Sequence, residues 1–119
     1  MMLKISITLL LLSTAASAAD QRKCMFERQT SPEGTFAVSL PIALSTQGSR
    51  AIVAVQTTGR KYSAREMRGT NGAAEYAFST EVSREIITIG PQGEAFWQIN
   101  FTDGRTQMHY AGKCAAQTG

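Results

Sequence analysis

Apolar and polar residues alternate in short runs along most of the chain. The clearest run is Glu94–Phe101, where Ala95, Trp97 and Phe101 fall on one face. A period of two is typical of a β-strand with one buried face. The best helical candidate, Ser63–Arg68, is too short to be stable on its own. The pattern therefore predicts an all-β fold.

Residues that favour turns separate these runs at intervals of roughly 10–20 residues. Examples are Ser31-Pro32-Glu33-Gly34, Gly69-Thr70-Asn71-Gly72 and Gly90-Pro91-Gln92-Gly93. Short strands between regular turns are typical of a small antiparallel β-barrel or sandwich, here of about seven or eight strands. The predicted strands are Lys23–Arg28, Thr35–Leu44, Arg50–Thr57, Arg60–Met67, Ala73–Ser79, Arg84–Ile89, Glu94–Phe101 and Arg105–Ala111.

The last two predicted strands form the clearest hairpin. Asp103-Gly104 fits a tight two-residue turn, in which glycine supplies the positive φ. This hairpin places Trp97 and Tyr110 on facing strands, where their rings can touch. Trp97 is assigned to the core because it alternates with other apolar residues, and Tyr76 and Phe78 are assigned to it for the same reason.

Two local features qualify the strand assignment. Pro41 lies inside the second predicted strand and has no N–H to donate, so we expect an edge or a bulge there. Thr80–Glu85 places Thr and Ser before acidic residues, which is the chemistry of a helix start. A short helix in this segment is therefore an alternative to an early strand.

The N-terminus has the three parts of a secretory signal peptide. Lys4 precedes the apolar run Ile5–Leu12, and the small residues Ala16-Ser17-Ala18 follow. The run is far shorter than the roughly 20 residues of a membrane span. We expect cleavage after Ala18, which leaves residues 19–119 as a single domain in the periplasm or outside the cell. Because no cysteine directly follows Ala18, we expect no membrane anchor.

The two cysteines lie near the two ends of the exported domain. Cys24 and Cys114 are the only ones in the chain, and an even number in an exported protein favours a disulfide. The bond would close a loop of about 91 residues, for which the chain-entropy model gives about 4–5 kcal/mol. It would also bring the first and last strands within about 6 Å. We therefore predict a barrel or sandwich clasped at its ends.

The charge pattern is mildly basic. Without Lys4, 11 Lys and Arg residues remain against 9 Asp and Glu, a net charge of +2. Nucleic-acid binders show a stronger bias and a recognisable module, and an exported protein rarely meets nucleic acid, so we exclude that class. The densest basic group, Arg60 to Arg68, reads most simply as a solvated strand face. A patch for an anionic ligand is the alternative.

Residue constellations that support catalysis are not evident. His, Cys and Asp do not occur at metal-ligand spacing, and neither a P-loop nor a dinucleotide motif is present. The only histidine, His109, falls on the polar face of a predicted strand. We therefore expect a non-enzymatic protein without cofactor or metal. An envelope enzyme working through carboxylates stays an alternative, with Glu75, Glu81, Glu85 and Glu94 as its candidates.

In size, export and one early plus one late cysteine, the chain resembles the periplasmic inhibitors of c-type lysozyme. These are small β-barrels that insert a loop, with the motif Ser-Gly-x-x-Tyr, into the enzyme's cleft. The nearest stretch here is Asn71-Gly72-Ala73-Ala74-Glu75-Tyr76, with Asn in place of Ser and one extra residue before Tyr. The resemblance covers the layout only, and we do not assign the chain to the family.

We therefore expect a monomeric binding or inhibitor module of the cell envelope. Its partner would be an envelope or extracellular protein or glycan. The candidate binding residues are Gly69, Asn71 and Gly72 in one loop, with Tyr62 and Arg65 on the strand before it. An alternative is a carrier that holds a small apolar molecule inside the barrel.

Overall fold

A computed structural model describes residues 20–104 and 107–115. Its eight strands form a closed antiparallel barrel in which each strand pairs with the next and the last pairs with the first. The fold class predicted from the sequence is confirmed, as a barrel. The predicted signal peptide, residues 1–18, lies outside the described residues. The strands are β1 (Asp20–Ser31), β2 (Gly34–Gln47), β3 (Arg50–Val55), β4 (Arg60–Arg68), β5 (Ala74–Ser79), β6 (Ser83–Ile89), β7 (Glu94–Phe101) and β8 (Met108–Cys114).

The last hairpin has the predicted register. Trp97 pairs with Tyr110, which is the register of a two-residue turn at Asp103-Gly104, and the two rings lie 5.4 Å apart. Gly104 has the positive φ, 85°, that the turn needs. The last pair before the turn is Ile99 with Met108, so β8 begins later than predicted. Residues 105 and 106 of the predicted strand lie outside the described part.

The alternative of a short helix over Thr80–Glu85 is wrong. The Thr80 hydroxyl accepts a hydrogen bond from the Val82 N–H at 3.2 Å, and the Thr80 N–H donates to the Ser83 carbonyl at 2.9 Å. These bonds close a turn, and β6 then starts at Ser83 with alternating buried and exposed residues. The hydroxyl that signals a helix start thus stabilises a tight turn instead.

Large apolar side chains pack against each other inside the barrel. Phe26, Val53 and Ile87 are completely buried, and Trp97, Tyr76 and Phe78 are nearly so, as predicted. The Trp97 ring lies 5.6 Å from Phe26 and 6.4 Å from Phe78, distances typical of attractive ring pairs.

Strands β1 and β8 close the barrel. Cys24 pairs in register with Cys114, and the predicted disulfide is confirmed with the two Cα atoms 3.9 Å apart. At Gly112 the strands approach so closely that a Cβ would overlap the carbonyl oxygen of Met25. The β1 register shifts between Phe26 and Arg28. In the pairing with β2, Glu27 alone lies opposite Val38 and Ser39, so the predicted bulge is on the strand of Pro41, two residues before the proline, and Pro41 itself pairs regularly with Met25.

Candidate binding cleft between strands β4 and β5

The pairing of β4 with β5 covers only part of the two strands. It runs from Arg68 with Ala74 to Arg65 with Ala77 and stops there. The first half of β4, residues 60–64, is paired to β3 but has no register partner on β5. The wall of the barrel is therefore incompletely paired at this place.

A cleft of about 640 Å³ lies at this gap. Residues that face outward line it, among them Ser63, Arg65 and Ser79, and so do the inward-facing Phe78 and Glu85. A surface groove on an intact sheet contacts outward-facing residues only, because neighbouring residues point to opposite faces. The cleft thus enters the wall between the strands. We call it the β4–β5 cleft.

Three arginines line the β4–β5 cleft on its outer side. Arg50 of β3 and Arg65 of β4 are directly opposite each other in register. Arg84 of β6, on the far side of β5, lines the same cleft. Like charges that face each other across a sheet destabilise it. Within the described residues, none of the three forms an ion pair, and the Arg50 Nη1–H donates to the Ser63 Oγ at 3.4 Å. The outer side of the cleft therefore concentrates positive charge, with three arginines and one carboxylate, Glu85, among the lining residues.

Serine hydroxyls add to this set of donors. Ser49, Ser63 and Ser79 line the same cleft as the arginines. Guanidinium groups and hydroxyls on neighbouring strands form a surface suited to oxygen atoms of an anion. Because most of these side chains project from strands rather than loops, the barrel fixes their spacing.

Glu85 forms the floor of the cleft, inside the barrel. Only 9% of it is exposed. The Trp97 Nε1–H donates to its Oε1 at 2.8 Å, and the Ser83 hydroxyl donates to its Oε2 at 2.6 Å. The Thr80 and Ser83 hydroxyls lie 2.7 Å apart, which extends the chain of hydrogen bonds towards the β5–β6 turn. A buried carboxylate is tolerated only with such partners.

The register of three strands creates this arrangement. Glu85 pairs with Phe78 of β5 on one side and with Ile99 of β7 on the other. Trp97 lies two residues before Ile99 on β7 and faces the same way, into the barrel.

The charge of Glu85 also affects the pKa of Tyr110. Burial raises the pKa of the Tyr110 hydroxyl above its usual value of 10.0, and the negative charge of Glu85 raises it further.

The structure separates the binding residues predicted from the sequence. Arg65 lies in the β4–β5 cleft. Tyr62 is half-buried at the other end of β4, with its ring stacked on Phe78 at 4.9 Å. The loop residues 69–72 lie beyond the opposite end of β4, where Asn71 has a positive φ of 57° and Gly72 lines a separate cavity of about 400 Å³ beside Cys114.

Sequence reasoning missed Arg50 and Arg84, and it named Glu85 only as one of several carboxylates. One signal for Glu85 was present. In the predicted strand Arg84–Ile89, Glu85 alternates with Ile87 and Ile89, which marks it as an inward-facing charge. The arginines carried no comparable signal, because exposed arginines on separate strands are common.

The described part of the chain contains no group of three His, Cys, Asp or Glu residues that could hold a metal ion. None of its helices has the length and apolar character needed to cross a membrane.

Comparison with known proteins gives no relative for this chain: no family model, no curated protein and no solved structure matches it.

Proposed function

We propose that this protein is an exported, non-enzymatic binding module that holds an anionic group of its partner in the β4–β5 cleft. The partner is an envelope or extracellular protein or glycan. The observation that carries the proposal is the set of three arginines, Arg50, Arg65 and Arg84, along one opening in the barrel wall. A module that covers its partner's active surface in this way acts as an inhibitor.

The arginines favour binding over a structural role. A like-charged pair such as Arg50 and Arg65 weakens the sheet that carries it. An oxyanion between them would remove the repulsion and accept charge-assisted hydrogen bonds from both. Binding energy would thus come partly from the relief of a strain present in the free protein.

Two features support export. The N-terminal sequence has the pattern of a signal peptide. The Cys24–Cys114 disulfide belongs to the chemistry of an oxidising compartment, because cytosolic thiols are kept reduced. Both agree with a partner in the periplasm or outside the cell.

A binding experiment with matched variants tests the cleft. The ligands are a hexaglutamate peptide and a sulfated oligosaccharide, titrated by calorimetry and by amide chemical shifts. Arg65→Ala and Arg84→Ala should each weaken binding about ten-fold, the worth of one charge-assisted hydrogen bond of roughly 1.5 kcal/mol.

Arg68→Ala is the matched control. Arg68 is exposed on the same strand but does not line the cleft, and its removal changes the net charge equally. It should weaken binding less than two-fold through the overall field. Equal losses for Arg65→Ala and Arg68→Ala would show that the protein attracts anions only by its net charge, and the proposal would fail.

A further inference from the structure

A second cavity opens at the end of the barrel where β6 begins. It measures about 580 Å³ and reaches the same buried carboxylate, Glu85, from the mouth of the barrel. Tyr62, Ile99 and Phe101 form its apolar and aromatic side. Its volume lies within the range of about 300–1,000 Å³ that is usual for small-molecule sites. We call it the mouth pocket.

The Glu85 carboxylate has neutral donors only. Its two described partners are the indole N–H of Trp97 and the hydroxyl of Ser83, and within the described residues no cation forms an ion pair with it. Buried carboxylates are usually paired with a positive charge, since desolvation is costly. Each carboxylate oxygen accepts one bond here and has capacity for another. At the floor of the mouth pocket, the Glu85 carboxylate therefore has room for a positively charged partner.

The wall of the pocket contains aromatic side chains that can attract a cation. Tyr62 is stacked on Phe78, which holds its ring in place, and both Tyr62 and Phe101 line the pocket. Ring faces attract ammonium groups through their quadrupole, by about 0.5–2 kcal/mol for each contact. The rim contains Arg60 and Glu81, one charge of each sign, so their charges offset each other at the entrance.

We propose that the mouth pocket binds the ammonium group of a small organic molecule, with Glu85 as its counter-ion and Tyr62 and Phe101 as its aromatic wall. This site goes beyond the proposed binding of an anionic partner in the β4–β5 cleft, because its ligand has the opposite charge and enters from the end of the barrel. The two clefts share Glu85 but use different side chains around it.

The single tryptophan of the chain reports on this site directly, because Trp97 donates to Glu85. The probe is choline, titrated against Trp97 fluorescence. The comparison ligand is 3,3-dimethyl-1-butanol, in which carbon replaces the charged nitrogen. Choline should give a saturable change, and the neutral analogue should bind at least ten-fold more weakly. Equal binding of both compounds, or no saturable change up to 50 mM choline, overturns the proposal.

Variants separate the charge from the fold. Glu85→Gln keeps an oxygen for the Trp97 N–H and removes the charge, so choline binding should fall at least ten-fold. Glu33→Gln removes an exposed carboxylate that does not line the pocket, with the same change in net charge, and should change choline affinity less than two-fold. Similar losses of choline affinity in both variants would mean that choline responds only to the net charge of the protein, and the proposed site would be rejected.

Tyr62→Leu covers the case in which Glu85→Gln does not fold, which near-ultraviolet circular dichroism would show. The leucine keeps an apolar side chain against Phe78 but has no ring face. Choline affinity should fall about three- to ten-fold, while 3,3-dimethyl-1-butanol should be affected little. Unchanged choline affinity in this variant overturns the aromatic wall. Arg68→Ala, at an exposed residue that lines neither cavity, should change choline affinity less than two-fold.

Discussion

Two junctions in the barrel wall, one between β1 and β8 and one between β4 and β5, are built in opposite ways. At the first, six residue pairs, a disulfide and a glycine hold the strands together. At the second, four pairs hold one end, and the strands then leave a cleft. Both belong to one closed sheet. We call them the clasped and the open junction.

The difference shows how a small barrel can combine stability with a site. A closed sheet has no edge, so an opening in its wall must come from incomplete pairing. The two junctions also differ in the residues that lie beside them. Arg65, in the last pair of the open junction, also faces Arg50 across the neighbouring β3–β4 pairing, whereas the clasped junction has a bulge, a disulfide and close backbone contact. The clasp thus supplies stability that the open junction lacks.

Removing the disulfide should have the largest effect. Cys24→Ala with Cys114→Ala releases a constraint over a sequence separation of 90 residues. The free energy of unfolding should fall by about 4 kcal/mol, as measured by urea denaturation. Reduction of the wild-type protein with dithiothreitol should produce a similar loss, and the double variant should not respond to it. A loss below about 1 kcal/mol would mean that backbone pairing alone holds this junction.

Gly112→Ala should come next. The new Cβ would overlap the backbone of Met25, which cannot rotate away as a side chain can. We expect a loss of about 2–3 kcal/mol in the free energy of unfolding. Gly90→Ala is the control, because the atoms nearest to its Cβ would belong to the flexible Glu94 side chain rather than to the backbone. Equal effects in thermal denaturation would contradict the close approach of β1 and β8.

At the open junction, Arg65→Ala should stabilise the protein slightly. It removes the like charge opposite Arg50, for a gain of about 0.2–1 kcal/mol in the free energy of unfolding. In Arg68→Ala the lost charge faces Ala74, so no gain is expected. The gain should shrink in 1 M salt, where charges are screened within about 3 Å. A destabilised Arg65→Ala variant would show that Arg65 serves the fold.

The smallest effect concerns Tyr110, on the clasped side. Its pKa is raised, first by burial and then by Glu85. Above pH 10 the unfolded chain loses this proton while the folded protein keeps it, so folding stability should fall as the pH rises further. Below pH 10 both states hold the proton and no effect is expected. Absorbance at 295 nm should show a late tyrosine titration, and Glu85→Gln should shift it to lower pH. An unchanged titration in this variant would contradict the influence of Glu85.

Much of the fold follows from local patterns in the sequence. Alternation in runs such as Glu94–Phe101, with turn residues between them, predicts the strands and an all-β domain. The Cys24–Cys114 disulfide follows from the cysteine count and from the signal-peptide pattern of the N-terminal sequence. These predictions depend on neighbouring residues or on the number of cysteines, so they do not require the register in which the strands pair.

The candidate sites depend on register, which the sequence does not reveal. Arg50, Arg65 and Arg84 come from three strands and meet only because of how those strands align. The residue types in β4 and β5 do not indicate that their pairing ends at Arg65 and Ala77. Arg65 was named from its basic neighbours, but Gly69 and Tyr62, named with it, lie at opposite ends of β4.

The Cys24–Cys114 bond has a topological consequence. Together with the chain between its two cysteines, it makes a covalent ring that contains all the inter-strand connections of the barrel. A protease cut in the exposed turn Thr70–Gly72 would therefore yield two fragments that stay joined through sulfur and paired through backbone bonds. The same turn is a natural place for new termini in a circular permutant. In this sense residues 24–114 behave as a cyclic polypeptide.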